Sequence, residues 1–477
     1  MKIRTRFAPS PTGFLHIGGV RTALYAYLFA KQSGGTFILR IEDTDQQRFV
    51  GDSMAAIYNG LRMAKLFYDE GPDVGGNYGP YIQSERKPIY REYINKLLDL
   101  GGAHYCFCQK NETSAADGNP NIGFIDPCNN IPLEEAKKRV AAGEAYTVRQ
   151  NIPQGGQSSY DDMVYGRITV PYKDMDESIL FKSDGFPTYN FANVIDDRLM
   201  EITHVIRGNE YLSQTAKYNL IYKSFGWEPP QYIHLPQVMK DQNNKLSKRN
   251  SDVSFASLVE NKGFLPEAII NYMALLGWSP KSEQEFFTLA ELEKAFSIAG
   301  VNRSSALFDE VKMRWMNGEY IRKLLPDEFH KRAMPFYASC IKRETDLLEL
   351  SKILQSRVET MGDIAGEVDF IDALPDYDTA LYENKKMKTD RPTALKALQL
   401  ALERLPTLQN WDDSGKLHDE VGVIAASFGL SNGQFLWPLR IALTGKQFSA
   451  GGAISAAYVL GRDESLRRIR IGIEKLS

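Results

Sequence analysis

Two prolines and a glycine fall within five residues near the start of the sequence, Pro9-Ser10-Pro11-Thr12-Gly13. Proline has no N–H to give to a ladder, so a strand must stop there and a loop begin. Residues 2–8 before the loop read as a short strand. From Val20 the apolar positions Val20, Ala23, Leu24, Tyr27 and Leu28 recur at helical spacing. Gly34-Gly35 predicts the end of that helix, and Thr36 to Ile41 then reads as a buried strand. Strand, loop, helix and strand in so short a span make a βαβ unit, which implies a parallel sheet.

The stretch from about Ala103 to Pro187 has a different texture. It holds three of the four cysteines and is rich in turn residues, and it reads as an inserted α+β module. Strand and helix return afterwards, with His204–Arg207 a strand and Tyr211–Phe225 a helix. Helical periodicity then covers Pro266–Leu276 and Leu289–Phe296. Beyond Pro326 no strand-like alternation of any length is present. Helices are expected at 327–340, 345–361, 393–405, 416–428 and 452–460.

Composition excludes whole classes. The 477 residues carry 57 Lys+Arg against 60 Asp+Glu, a net charge of −3, with 43% hydrophobic residues, which is globular rather than disordered composition. Four cysteines cannot staple a chain of this size. No apolar run approaches the roughly 18 residues that a membrane span needs, and Met1–Arg6 has no signal-peptide core behind it. A cytoplasmic, multi-domain protein is expected.

The segment His16-Ile17-Gly18-Gly19 lies where the first loop enters the first helix. In an open α/β sheet, ligands bind beyond the C-terminal ends of the strands. A helix N-terminus there offers free N–H groups to phosphate, glycines let a flat base approach the backbone, and a histidine can donate to a phosphate oxygen. Far downstream, Lys245-Leu246-Ser247-Lys248-Arg249 places three cations in five residues of a polar loop, suited to the charge of a displaced phosphate. Neither segment is a Gly-x-x-x-x-Gly-Lys-Ser/Thr loop, and the first βα turn has no Gly-x-Gly-x-x-Gly.

Together these two segments resemble the "HIGH" and "KMSKS" signatures of class I aminoacyl-tRNA synthetases. Arg6–Gly13, Arg40–Asp45, Gly79–Arg86, Ser183–Tyr189, Asn193–Asp197 and Arg314–Gly318 are similar to glutamyl-tRNA synthetases of the bacterial type, in the same order along the chain. The tail Val459–Ser465 is similar too, so the resemblance covers nearly the whole sequence. It departs at Gly19, where the signature has a second histidine, and at Arg249, where it has serine. Both changes are common in the glutamate subfamily.

The fold the resemblance implies is an α/β Rossmann-like catalytic domain, its parallel sheet split by an α+β insertion, followed by an all-α anticodon-binding region. The expected segments are 1–102, first half of the catalytic domain; 103–187, inserted acceptor-binding module; 188–253, second half with the basic loop; 254–325, helical stem-contact segment; and 326–477, helical anticodon-binding region. The activity implied is a two-step ligation. Glutamate attacks the α-phosphate of Mg·ATP to give glutamyl-adenylate, and the terminal adenosine of glutamate tRNA then takes the glutamyl group. Partners implied are L-glutamate and glutamate tRNA, with glutamine tRNA left open, and the enzyme is expected to be a monomer.

Residue by residue, the resemblance gives Arg6, Ala8, Ser10, Glu42, Tyr189, Asn193 and Arg207 to glutamate. It gives His16, Gly18, Gly19, Glu210, Val238 and the loop Lys245, Leu246, Ser247, Lys248, Arg249 to ATP, with His16, Lys245 and Lys248 catalytic. A guanidinium fork suits a carboxylate, and which arginine takes which carboxylate is open. Cys106, Cys108 and Cys128 resemble the zinc-binding insertion of some members. The positions that supply their fourth ligand are Phe124 and Asn130 here, and nothing selects His104 or Asp126 instead, so no metal is expected.

Basic residues are clustered: 385–396 carries five cations and one acid, whereas Asp363–Glu383 carries seven acids and no base. A near-neutral total is therefore no argument against an RNA partner. Glutaminyl-tRNA synthetase shares the catalytic half but has a β-barrel anticodon region, which does not match the helical pattern here. A truncated relative that glutamylates a tRNA base lacks the helical region altogether. A non-catalytic RNA-binding paralogue would tolerate loss of His16, Lys248 or Arg207, and all three are present.

Overall fold

The computed structural model describes residues 2–11, 13, 15–45, 52–108, 126–242, 244 and 254–477. They form two compact units, Met1–Leu258 with Ile269–Asp309 and Val259–Ala268 with Glu310–Ser477.

The first unit opens with the expected βαβ. Strand β1 (Arg4–Phe7) pairs in parallel with β2 (Thr36–Leu39), Arg4 opposite Thr36 and Phe7 opposite Leu39. Helix α1 (Ile17–Gln32) joins them. It is buried on nearly every side, with Val20, Leu24, Tyr25 and Leu28 fully enclosed. Its start lies three residues earlier than periodicity alone places it, because His16 is extended and its Nδ1 accepts the Gly18 N–H at 3.1 Å. The glycine stop is real: Gly34 has φ +61°, and a Cβ on Gly35 would lie 2.5 Å from the Ile3 carbonyl oxygen.

The remaining strands are β3 (Ala103–Cys106), β4 (Thr147–Gln150), β5 (Gln157–Asp162), β6 (Gly166–Pro171), β7 (Ile179–Phe181), β8 (His204–Gly208), β9 (Gln231–Leu235), β10 (Val238–Met239) and β11 (Ala306–Leu307). Strands β8 and β9 are parallel, and β1 lies beside β8, tied at its start by the Thr203 N–H on the Arg4 carbonyl at 3.0 Å. Strands β3, β4 and β7 make an antiparallel sheet of their own. The hairpin β5–β6 lies inside the segment 103–187, yet β5 is bonded in parallel to β9 at Asp162 and Tyr232. It extends the main sheet.

Helix α2 (Ser53–Met63) follows β2, α3 (Lys87–Asp99) precedes β3, and α4 (Leu133–Ala141) precedes β4. Helices α5 (Tyr189–Leu199) and α6 (Leu212–Ser224) flank β8 in sequence, and α5 begins with Tyr189 on the cleft.

The second unit is helical throughout its described residues from Pro326 onward. One apolar core runs through it, with Phe329, Leu398, Phe435, Ile441 and Ile469 fully buried. Three of its helices start at these side-chain caps: Asp390 accepts from Thr393 N–H, Asp413 from Gly415 and Lys416, and Ser431 forms a reciprocal box with Gln434. The helix expected at 345–361 is only Leu347–Leu354, begun by the Asp346 cap. Helices Asn432–Thr444 and Arg462–Leu476 were not expected. Pro438 inside the first breaks the periodic signal, while its apolar neighbours hold the helix in the core.

Arg468 is a fully buried cation in this unit. It donates to the carbonyls of Phe370 and Leu443 at 2.7 Å and to Glu464 at 2.7 Å. Hydrogen bonds from Arg467, then Arg468, hold the Glu464 carboxyl down at about 2 against burial, which raises it. A carboxylate lowered on folding contributes stability above its unfolded pKa and loses it as pH falls. Urea melts of the full chain should therefore weaken progressively from about pH 4.5 toward pH 2. Glu464→Gln should flatten that slope, and an unchanged slope would refute the assignment.

Candidate active site

The C-terminal ends of β1, β8 and β9 open onto a cleft of about 1530 Å³. Its wall includes Arg6, Ala8, Ser10, His16, Gly18 and Gly19 from the first βα unit. It also includes Glu42, Tyr189, Arg207, Glu210 and Val238. Eleven positions singled out from sequence thus meet in one place. Asn193 is not on the wall: it is buried, and its Nδ2 donates to the Tyr189 carbonyl at 2.6 Å. The loop Lys245, Leu246, Ser247, Lys248 and Arg249 lies outside the described residues. Val238 before it and Ser254 after it both line the cleft, and Phe255 N–H bonds the Leu15 carbonyl at 3.1 Å.

The two arginines have different surroundings. Arg6 is held at both ends by Asp197, Nε on Oδ1 at 3.0 Å and Nη2 on Oδ2 at 3.2 Å. Arg40 binds the same Asp197 at 2.7 Å and reaches Glu42 at 2.9 Å. Burial pushes the Asp197 carboxyl up, but Arg6 and Arg40 beside it hold it below the usual carboxylate range. Glu42 is shifted the other way, because burial outweighs its attraction to Arg40 and Arg6. Arg207 meets no carboxylate at ion-pair distance among the described residues. Its partners are His234, at 3.3 Å, and Thr215, at 2.6 Å, with the rings of Tyr218 at 4.9 Å and Tyr211 at 5.0 Å. An uncompensated guanidinium on a cleft wall is built to receive an anion.

His16 faces the same space. Because its Nδ1 accepts from Gly18, the neutral ring carries its proton on Nε2, the form able to donate to a phosphate oxygen. Residues that the sequence did not single out also line the cleft, among them Arg21, Thr44, Lys182 and Tyr211. Arg21 is turned aside to the Pro236 carbonyl at 2.7 Å.

Away from the cleft, Cys106, Cys108, Asp126 and Cys128 bring four ligand atoms within 4.8 Å of one another. The expectation of no metal rested on a missing fourth ligand, and Asp126 supplies one. The fold decides this, because Asp126 caps the turn at Pro127 by accepting from Cys128 N–H at 2.9 Å. Arg149 lies 3.0 Å from its other oxygen. Thiolate sulfur and carboxylate oxygen are both donor types that zinc accepts.

A parallel sheet whose strand ends meet a glycine-rich helix start, with buried arginines facing it, defines an enzyme that handles a nucleotide and an anionic partner. The chain belongs to the class I tRNA synthetases: residues 2–315 match the family "tRNA synthetases class I (E and Q), catalytic domain" and residues 328–473 match "Anticodon binding domain". It is 51% identical over 481 residues to the "Glutamate--tRNA ligase" of Clostridium acetobutylicum, covering 100% of this chain and 99% of the relative. It is 50% identical to that of Clostridium tetani, covering 100% and 98%. Among solved structures, a glutamate tRNA ligase from Elizabethkingia meningosepticum in complex with its amino acid superposes with a TM-score of 0.86 at 32% identity, over 100% of both chains. The glutamate-tRNA synthetase of Elizabethkingia anophelis does so with 0.86 at 31%.

Replacing Asp197 by Ala should leave two buried guanidiniums facing each other and destabilise the chain by about 3–5 kcal/mol. Denaturant melts measure this, and a loss well below that range would show that the network carries little weight.

Proposed function

We propose that this chain attaches L-glutamate to tRNA in two steps, forming glutamyl-adenylate from Mg·ATP and transferring the glutamyl group to the terminal adenosine of glutamate tRNA. The observation that carries this reading is the pairing, in one cleft, of an anion-seeking Arg207 with a helix start bearing His16, Gly18 and Gly19. The full-length identity to proteins named as glutamate ligases supports it.

In this reading Arg207 and Arg6 hold the two carboxylates of glutamate. Glu42 meets the ammonium group, with Ala8, Ser10 and Tyr189 completing the pocket. Asn193 acts through Tyr189, whose carbonyl it holds. ATP lies against Gly18 and Gly19, with its ribose at Glu210 and its adenine by Val238. His16 donates from Nε2 to a phosphate oxygen. Lys245 and Lys248, with Leu246, Ser247 and Arg249 of their loop, offset the charge of the departing pyrophosphate. No side chain acts as nucleophile; positioning and electrostatics lower the barrier. The second unit takes the anticodon end of the tRNA. The form proposed is a cytoplasmic monomer, and glutamine tRNA is a candidate second substrate. Zinc, if bound at Cys106, Cys108, Asp126 and Cys128, would cross-link β3 to the turn at Pro127.

ATP–pyrophosphate exchange dependent on glutamate, run with and without tRNA, separates an enzyme from an RNA-binding scaffold. Exchange should be present, and Arg207→Ala should raise the glutamate KM by tenfold or more, about 1.4 kcal/mol of binding, with the ATP KM little changed. Absent exchange under both conditions would overturn the reading. Metal analysis of the purified chain should find about one zinc per chain, lowered by Asp126→Ala. A metal-free native protein would remove that site.

A further inference from the structure

Three neighbouring strands bring a second set of buried polar groups behind Arg207. Arg207 on β8 is the register partner of His234 on β9, and Asp162 stands at the end of β5, bonded to β9 two residues before His234. His234 is fully enclosed and Asp162 nearly so. Neither residue figures among the expected substrate contacts, and neither lines the cleft.

The hydrogen bonds decide which ring nitrogen carries the proton. Asp162 Oδ1 accepts the N–H groups of Val164 at 2.9 Å and Tyr165 at 2.8 Å. Its Oδ2 accepts the His234 backbone N–H at 3.0 Å and lies 2.7 Å from His234 Nδ1. A carboxylate collecting donors on both oxygens can only accept from the ring, so Nδ1 carries the proton. Burial pushes the imidazolium pKa down, which keeps the ring neutral. Nε2 then presents a lone pair, and Arg207 Nε–H donates to it at 3.3 Å. The Thr215 hydroxyl accepts from Arg207 Nη2 at 2.6 Å and donates to the Tyr211 carbonyl at 2.8 Å, with His234 Nε2 also 3.2 Å from its oxygen. Of the five N–H groups of the guanidinium, two are thus tied back into the protein. The three left are both on Nη1 and one on Nη2, the pair of nitrogens that makes an end-on fork for a carboxylate.

We propose that Asp162 and His234 are positioning residues for substrate: Asp162 fixes the Nδ1–H tautomer of His234, and the His234 Nε2 lone pair holds Arg207 with its terminal fork toward the substrate carboxylate. The inference rests on the reading of Arg207 as a glutamate-binding residue. The set also explains how a buried cation is kept without a counter-ion at contact distance among the described residues. Its neighbours are neutral acceptors and aromatic faces, which solvate the charge without neutralising it.

The informative substitution is Asp162→Asn. Two N–H groups, of Val164 and Tyr165, hold the amide oxygen on their side, so the amide nitrogen faces His234 Nδ1, at the expense of the one bond from the His234 backbone N–H. It donates there, the ring proton moves to Nε2, and that N–H then opposes the N–H of Arg207. Nitrogen-15 spectra of the six histidines read the tautomer directly. The native protein should show His234 protonated at Nδ1, and Asp162→Asn should show it at Nε2. In glutamate-dependent exchange with tRNA, Asp162→Asn should raise the glutamate KM about tenfold and leave the ATP KM within about twofold. Thr215→Val, which removes the other anchor at nearly constant volume, should raise the same KM and serves if Asp162→Asn does not fold.

Native His234 protonated at Nε2 would overturn the proposal. So would folded variants with an unchanged glutamate KM, or with a fall in kcat alone. Arg207→Ala separates the two levels. If it raises the glutamate KM and the positioning variants do not, the inference alone fails. If it too has no effect, the reading of the site fails, and the tautomer result stands by itself.

Discussion

The first unit depends on a buried chain of charges that runs from Arg6 through Asp197 and Arg40 to Glu42. Arg40 is wholly enclosed and also lies 3.8 Å from Asp196, which further accepts from Arg86 at 2.7 Å, Tyr90 at 2.8 Å and Gln83 at 2.8 Å. Each ion alone would be costly to bury, and only mutual pairing with well-formed hydrogen bonds makes the set tolerable. The pairing links β1, the end of β2 and α5. It therefore fixes β1, one of the strands whose ends form the cleft, against its neighbours, and it orients Arg6 and Glu42 before any ligand arrives.

That network also sets the contrast within the site. Arg6 comes to a ligand already half-neutralised by Asp197, whereas Arg207 is surrounded by tyrosine rings, a threonine and a neutral histidine. One cleft thus offers a damped cation and an undamped one. On the proposed reading, an amino acid with two carboxylates and one ammonium group finds complementary charge at each, with Glu42 opposite the ammonium.

Much of this was legible in the chain. The proline-rich break after β1, the helical spacing from Val20 and the Gly34-Gly35 stop predict the βαβ unit because proline and glycine act locally. The helical third is legible in outline, because no strand-like alternation of any length follows Pro326. Asn432–Thr444 escaped because Pro438 speaks against a helix locally, and only burial of Phe435, Leu439 and Ile441 overrides it. Asn193, which the resemblance gives to glutamate, has its Nδ2 on the Tyr189 carbonyl, since helical phase does not tell whether a polar side chain turns to the cavity or back to its own helix.

Sequence by itself determined which chemical groups the protein has and, through turn and helix signals, the order of its elements. Only the tertiary structure decided which of them meet. Asp162 and His234 are 72 residues apart. Asp126 was one of two unselected candidates for a fourth donor until the fold set it beside three sulfurs. The physical reason is range. Backbone preferences act over a few residues, but a charge or tautomer is set by whatever lies within a few ångströms across strands that the chain order does not place side by side.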